Sequence, residues 1–232
     1  MTGPLPARYA EPWRGGFVSR VVAALRPGIR VLDVGSGAQP TIPRDQRPDG
    51  CFYVGLDRSA HELARASDAA YDDIVVADIC RPLPTHAGRF DLVLSWQVLE
   101  HVPSMHAALA TQHEALTPGG RMLAMLSGAW SFYALAARVM PYRMTTSLQV
   151  RLLDAVPDSK FHTHYDGCTD RALRRILACG GWETWEIVPH YRAGGYLGFS
   201  RPLQRAYLVY ENWAAHSRRA NLATHYFVEA VA

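Results

Sequence analysis

The sequence predicts an α/β fold built around a mostly parallel sheet of seven strands. Short apolar runs recur along the chain with helical stretches between them, and this alternation is typical of parallel strands joined by right-handed crossovers. The length of 232 residues is enough for one such domain with a sizeable core. Apolar residues make up 49% and charged residues 19% of the chain, which are values typical of globular proteins.

Each element follows from a local pattern. The strands are predicted at 30–34, 52–56, 73–77, 90–95, 121–126, 183–190 and 223–230. The helices are predicted at 15–25, 60–66, 104–116 and 170–179. Ser59 and Thr169 are N-cap candidates for two of these helices. The run Thr117-Pro118-Gly119-Gly120 predicts a turn between the third helix and the fifth strand.

Two segments, at about 128–168 and 191–222, interrupt this alternation and are rich in aromatic residues. We interpret 1–232 as a single domain in which both segments are cap insertions over the carboxyl ends of the strands, where open α/β sheets bind ligands. Their aromatic side chains either line a substrate pocket or belong to packing helices that have no chemical role.

Charge and cysteine content argue against several other classes of protein. The chain has 24 basic and 21 acidic residues and a formal net charge of +3, which is too balanced to indicate nucleic-acid binding. The sequence shows no apolar run of membrane-spanning length and no secretory signal. The four cysteines lack zinc-binding spacing. We therefore expect a cytoplasmic protein with reduced thiols and no indicated metal site.

The most informative stretch is Ile29 to Pro40, where a buried strand ends in Asp33 and Val34 and then turns at Gly35-Ser36-Gly37. A dinucleotide-binding turn would place a third glycine where Pro40 stands. An acidic strand end followed by Gly-x-Gly instead suits a ligand with an amino-acid head group. The carboxylate can take up an ammonium, directly or through water, and the glycines let the ligand approach the backbone.

Two later strand ends also carry carboxylates. Asp57 lies 20 residues after Gly37 and is well placed to accept the ribose hydroxyls of a nucleoside, although it could also cap the next helix. Asp78 and Ile79 follow the third strand. There a carboxylate and a backbone N–H can contact adenine, or Asp78 can simply cap a turn.

These motifs, together with Phe90 to Pro103 and Leu116 to Gly120, resemble the ordered motifs of the class I S-adenosylmethionine (SAM) methyltransferases. The resemblance covers residues 29–127 and implies a Rossmann-like sheet whose last strand is antiparallel. It implies SAM as cofactor and S-adenosylhomocysteine as product. The implied cofactor-binding residues are Asp33, Gly35, Ser36, Gly37, Asp57, Arg58, Asp78, Ile79, Ser95 and Trp96.

The C-terminal third is similar to methyltransferases associated with sugars and polysaccharides, through Phe161 to Thr169 and the helix that follows. This resemblance implies a small hydroxylated acceptor, most simply a carbohydrate, and it leaves a homodimer open. The predicted acceptor-binding residues are Trp130, Tyr133, His162, Tyr165 and Tyr196.

A hydroxyl acceptor gains from a general base, and histidine suits that role near neutral pH. His101, after the fourth strand, and His164 are the candidates. A structural role for His101, holding the turn after the strand, is equally open.

Other functions remain open at this point. The same fold and cofactor would serve an N- or C-methyltransferase of a natural product or quinone precursor, or a SAM-binding module without catalysis. A nicotinamide-dependent oxidoreductase is disfavoured by Pro40 and Asp33.

Overall fold

The computed structural model describes residues 5–10, 12–139 and 162–232, and these form one seven-stranded sheet in the order β3-β2-β1-β4-β5-β7-β6. The strands are β1 (Arg30–Val34), β2 (Phe52–Asp57), β3 (Asp73–Val76), β4 (Phe90–Trp96), β5 (Leu116–Ser127), β6 (Thr184–His190) and β7 (His225–Val231). The helices are α1 (Trp13–Ala24), α2 (Ala60–Ala64), α3 (Met105–Ala115), α4 (Phe132–Val139), α5 (Asp170–Cys179) and α6 (Arg201–His216).

The sheet confirms the predicted fold class. Strands β1 to β5 pair in parallel, whereas β7 lies between β5 and β6 and is antiparallel to both. Because β6 is antiparallel to β7, it points the same way as β1 and β4. The carboxyl ends of six strands therefore meet at one edge of the sheet.

Two apolar layers cover the two faces of this sheet. Alternate residues of β1 point to opposite sides: Leu32 and Val34 join the layer of α3, α5 and α6, and Val31 joins the layer of α1 and α2. Such a doubly covered parallel sheet explains why its strands read as continuous apolar runs.

Local sequence signals fix most element bounds. Ser59 and Thr169 accept hydrogen bonds from Glu62 N–H and Ala172 N–H, as N-caps do. The predicted turn at residues 117–120 is wrong, because these residues belong to strand β5. The chain is already extended at Leu116, and the prolyl-glycyl residues make an irregularity in the β4–β5 register. Gly119, at φ +75°, donates its N–H to the carbonyl of Ala232, which ties this irregular stretch to the end of β7.

Both predicted insertions follow carboxyl ends of strands. The segment 191–222 leaves β6 and contains a 3₁₀ turn (Gly194–Leu197), helix α6 and a second 3₁₀ turn (Ala220–Leu222). The segment 128–168 leaves β5 and begins with α4. Residues 140–161, including Phe161, lie outside the described residues. Among the helices that are described, none has the length and apolar content needed to cross a membrane.

Candidate functional site

A cavity of about 240 Å³ opens at the carboxyl ends of β1, β2 and β4. Six of the predicted cofactor residues line it: Gly35, Asp57, Arg58, Asp78, Ile79 and Trp96. His101 lines it as well. The cavity therefore joins residues that lie far apart in the sequence but at neighbouring strand ends, as expected for open α/β sheets.

The floor of the cavity is the glycine turn after β1. Gly35 adopts φ +67° and Gly37 adopts φ +52°, a region that glycine enters with little strain. A Cβ on Gly35 would lie 2.3 Å from Val98 Cγ2, so only glycine lets the turn pack against the segment after β4. Gly35 N–H and Ser36 N–H both donate to the carbonyl of Leu56, which holds the turn against β2.

Two carboxylates, those of Asp57 and Asp78, belong to residues that line the same cavity. Asp57 is 7% exposed, and it accepts a hydrogen bond from Ser59 N–H at 2.8 Å. Burial raises its pKa, while backbone N–H groups of Ser59 and Gly37 oppose that shift. Asp78 accepts from Cys80 N–H at 2.9 Å. Both caps leave carboxylate lone pairs available to a ligand, because each oxygen can accept more than one hydrogen bond.

Four predicted cofactor residues lie off the lining. Asp33, which is predicted to take up a ligand ammonium directly or through water, is one of these four, and that role stays a prediction. Its carboxylate is fully buried and accepts from Thr41 N–H, Thr41 Oγ1 and Tyr53 Oη at 2.7–2.8 Å. Burial raises the pKa of Asp33 against these donors. Asp33 thus anchors the chain beyond the turn rather than facing the cavity.

Ser36, Gly37 and Ser95 also support the cavity from outside its lining. Ser36 and Ser95 are buried, and Gly37 acts through its N–H on Asp57. The Tyr71 hydroxyl donates towards the carbonyls of Ser36 and Gly37 at 3.2 and 3.0 Å. Ser36 and Gly37 thus shape the turn, and the cofactor contacts predicted for all three residues stay predictions.

His101 and the two histidines of the segment 162–165 lie close together where the chain leaves β4. His101 ends the 3₁₀ turn Leu99–His101, and its Nδ1 lies 3.2 Å from the carbonyl oxygen of His162. His164 N–H and Tyr165 N–H both donate to the carbonyl of Glu100, at 2.9 and 3.0 Å. The segment 162–165 is therefore fixed against the exit of β4. The His162 and His164 rings lie 4.7 Å apart, but neither residue lines the cavity.

Two of the other predicted acceptor residues, Tyr133 and Tyr196, lie together near the start of β7. The Tyr133 hydroxyl donates to the carbonyl of Thr224 at 2.7 Å and lies 3.0 Å from His225 Nε2. Its ring packs 5.9 Å from that of Tyr196. Trp130 and Tyr196 remain 47% and 43% exposed, so they offer aromatic surface at the same edge of the sheet.

Sequence reasoning missed Gln97 and Val98, which also line the cavity. Gln97 adopts φ +56°, and its Oε1 accepts from Ser127 Oγ at 2.9 Å. Its buried Nε2 has no hydrogen-bond partner among the described residues. A non-glycine residue with positive φ beside a cavity often marks a functional position, but one sequence does not reveal its backbone angle.

The buried carboxylate of Glu100 lies behind this segment. Its Oε1 accepts from Ser127 N–H at 3.2 Å, and burial raises its pKa. No group of three or more metal-ligating side chains occurs within 5–10, 12–139 and 162–232.

Comparison with known proteins places these features in context. The family described as "Methyltransferase domain" matches residues 7–187. The ubiquinone biosynthesis O-methyltransferase of Pectobacterium atrosepticum is 29% identical over 122 residues, 50% of each chain. The 27-O-demethylrifamycin SV methyltransferase of Amycolatopsis mediterranei is 32% identical over 104 residues, 42% of this chain and 38% of that one.

Among solved structures, an S-adenosylmethionine-dependent methyltransferase from Mesorhizobium loti has the same fold. It aligns with a TM-score of 0.60 and 17% identity over 96% of this chain and 99% of that one. The chain spans about half the length, or less, of the curated relatives it matches.

Proposed function

Because the chain belongs to the methyltransferase-domain family, whose cofactor is SAM, we propose that it methylates a hydroxyl of a small acceptor. One observation carries the cofactor part of this proposal. The Asp57 carboxylate and the Gly35 turn face one cavity at the carboxyl edge of the sheet. Gly35 is exposed, and any side chain there would strike Val98, so the turn requires glycine.

The residues present fit SAM. When bound, SAM supplies a methyl carbon on a sulfonium, which makes that carbon electrophilic. Asp57 would hold the ribose hydroxyls, because it lines the cavity at the end of β2. Asp78 and Ile79 would hold the adenine. With the reacting group supplied by the cofactor, the protein mainly has to position the acceptor and accept its proton.

His101 is the better placed of the two candidate bases. A carbonyl oxygen only accepts hydrogen bonds, so Nδ1 must carry the proton in the contact with the His162 carbonyl. In the neutral ring, Nε2 then has the lone pair that can accept a proton. His164 is exposed and does not line the cavity, so we assign it to positioning of the segment 162–165.

We propose a carbohydrate as the acceptor class. Trp130 and Tyr196 supply exposed aromatic surface near the strand ends, and pockets for small molecules favour such aromatic walls with a few polar groups. The similarity of residues 161–169 to sugar-associated methyltransferases supports the same class. The O-methyltransferases among the relatives support transfer to oxygen.

Calorimetry with SAM tests the cofactor site. We expect Asp57→Asn to weaken SAM binding by about 10- to 100-fold, because a hydrogen bond to a charged group is worth about 1.5–3 kcal/mol. Asp68→Asn is the matched control, since Asp68 is an exposed aspartate outside the cavity lining. Equal SAM affinity in Asp57→Asn and the wild type would contradict the assignment.

Mass-resolved methyl transfer tests the reaction. The wild type is incubated with SAM and a panel of sugars, glycolipids, phenols and amines, and we expect methylated sugars. His101→Gln should retain SAM binding and lose about 100-fold or more in turnover, as expected for loss of a general base. Methylation of nitrogen or carbon alone would replace the hydroxyl acceptor, and unchanged turnover in His101→Gln would end the assignment of the base.

A further inference from the structure

We propose that the outer face of helix α6 docks on an anionic phospholipid bilayer. This face consists of Leu203, Arg205, Val209, Tyr210 and Trp213, and we call it the α6 outer face. The proposal concerns a surface and goes beyond methyl transfer. Docking can be measured without SAM or acceptor.

The two sides of α6 differ sharply in burial. Gln204, Glu211 and Ala214 are buried against the rest of the cap. On the opposite side Val209 is 71%, Trp213 is 50% and Leu203 is 47% exposed. With 100° between successive residues, Leu203, Tyr210, Trp213 and Val209 occupy one continuous arc. The exposed apolar residues are thus a stripe along the helix and not scattered side chains, and such patches mark interaction sites.

Two of the four exposed apolar residues in the stripe, Tyr210 and Trp213, are aromatic, and the half-buried Tyr207 lies beside them. Tyr207 and Tyr210 have ring centroids 5.7 Å apart, and those of Tyr210 and Trp213 are 6.0 Å apart. The Arg219 guanidinium lies over the Trp213 ring at 5.9 Å. Tyrosine and tryptophan favour the boundary between lipid headgroups and acyl chains, where their apolar rings and polar atoms are both satisfied.

Charge favours an anionic partner. Helix α6 contains one carboxylate, Glu211, which is buried and bound to Arg8. Arg205 lies beside the apolar stripe, and Arg218 and Arg219 follow the end of the helix. None of these three arginines forms an ion pair with a described residue. Long basic side chains beside an exposed apolar stripe are the pattern of helices that lie in the plane of a membrane surface.

The location of the helix is compatible with function at a surface. Helix α6 follows the carboxyl end of β6 in the chain, and this end lies at the same edge of the sheet as the cavity. It has 16 residues and is therefore about 24 Å long. A bilayer contacting its outer face would lie beside the acceptor side of the molecule, so an acceptor carried by a lipid would come within reach of the site.

Vesicle sedimentation of the full chain tests the proposal. Vesicles of phosphatidylcholine alone are compared with vesicles that contain about one third phosphatidylglycerol. We expect binding to the anionic vesicles, with little binding to the neutral ones and weaker binding at raised salt. Val209→Asp should lower anionic-vesicle binding at least tenfold. Val22→Asp, the same change at an exposed valine of α1 (41% exposed), should leave it unchanged.

A second variant keeps the test independent of the folding of Val209→Asp. Arg218→Gln combined with Arg219→Gln removes two surface charges, and we expect about tenfold or greater loss of vesicle binding. Circular dichroism and SAM calorimetry confirm that each variant is folded. The proposal would be overturned if the wild type did not bind anionic vesicles. It would also be overturned if Val209→Asp and the double arginine variant bound them as well as the wild type does.

Light scattering separates the bilayer from a second copy of the chain. If the wild type is a dimer that Val209→Asp converts to a monomer, and vesicle binding is absent, the α6 outer face is a dimer interface and the proposal is overturned. If the wild type and Val209→Asp have the same oligomeric state and the wild type binds anionic vesicles, the proposal is supported. Failure of methyl transfer would leave either result unaffected.

Discussion

Single titratable residues at the carboxyl edge of the sheet respond to burial according to their charge. Burial raises the pKa of Asp33, Asp57 and Glu100 because it disfavours the charged carboxylate. The same effect lowers the pKa of His225 to about 3, and the nearby His190 and Arg192 add to the shift. His225 therefore keeps a neutral imidazole in the native protein, because burial disfavours its protonated form.

Because the pKa of His225 is lowered in the native state, we expect the protein to lose stability as the pH is lowered. Between pH 6.5 and about 3 the unfolded chain binds a proton at His225 that the native state does not. The free energy of unfolding must therefore fall as the pH is lowered through that window, and it is regained above 6.5. From about pH 7.5 to about pH 5.5 this residue alone should remove about 1.4 kcal/mol.

Urea unfolding of the wild type and His225→Gln at the two pH values checks this expectation. Because other groups titrate in both proteins, the informative quantity is the difference between them. The wild type should lose about 1.4 kcal/mol more than His225→Gln on acidification. Parallel losses in the two proteins would mean that His225 is protonated in the folded state.

At the scale of elements, the turn after β1 works because the segment after β4 closes on it. Gly35 sits against Val98, and Gly37 donates to Asp57 at the end of β2. Three strand ends thus support one backbone turn. Its conformation depends both on the left-handed angle at Gly35 and on the space left by the missing Cβ.

These two requirements can be separated by mutation. Gly35→Ala should lower stability by about 2–4 kcal/mol, since it combines backbone strain with overpacking, and it should weaken SAM binding. Gly88→Ala has a similar φ of +62° with no atom within 4 Å of the new Cβ, so it measures the backbone term alone.

The double variant Gly35→Ala with Val98→Ala should recover the steric part of the loss. Unfolding free energies and SAM affinity are measured for all three variants. If Gly35→Ala is no worse than Gly88→Ala, the close approach of Val98 does not constrain the turn.

At the scale of the whole molecule, the N-terminal segment is bound to helix α6, about 200 residues later in the sequence. Arg8 and the Tyr9 hydroxyl both bind Glu211 Oε2, at 2.7 and 2.5 Å. Ala193 N–H donates to Glu211 Oε1 at 2.6 Å. Farther along, Phe17 of α1 packs 5.0 Å from Trp96 in the cavity wall. The N-terminal segment therefore links helix α6 to the candidate cofactor site.

Glu211→Gln should release this N-terminal contact. Removing one charge of a well-buried pair costs up to about 5 kcal/mol. Because the Arg8 side chain is 25% exposed, we expect a loss of stability nearer about 2 kcal/mol. Limited trypsin digestion should then cleave faster after Arg8 or Arg14. Glu229→Gln, which removes an exposed pair with Arg121, is the control, and equal cleavage in both variants would contradict a role for the contact.

Much of this molecule could be predicted from its sequence because the signals are local. Apolar runs, caps and the Gly-x-Gly turn identified all seven strands, and six of the ten predicted cofactor residues line the cavity at the strand ends. The hydrogen bonds of Asp33 with Thr41 and Tyr53 could not be predicted, because tertiary folding brings these partners together. Gln97 was missed for a similar reason, since its backbone angle is set by contacts with β5.

The position of β7 has a consequence for synthesis on the ribosome. Among the seven strands, β7 is the last to be translated, yet it lies inside the sheet between β5 and β6. Until residues 225–231 emerge, the apolar stretch Met122–Leu126 borders an open edge, and β6 has no strand to join. Exposed apolar edges invite pairing with other chains. We therefore expect the nascent sheet to be prone to pairing with other chains until residues 225–231 have left the exit tunnel.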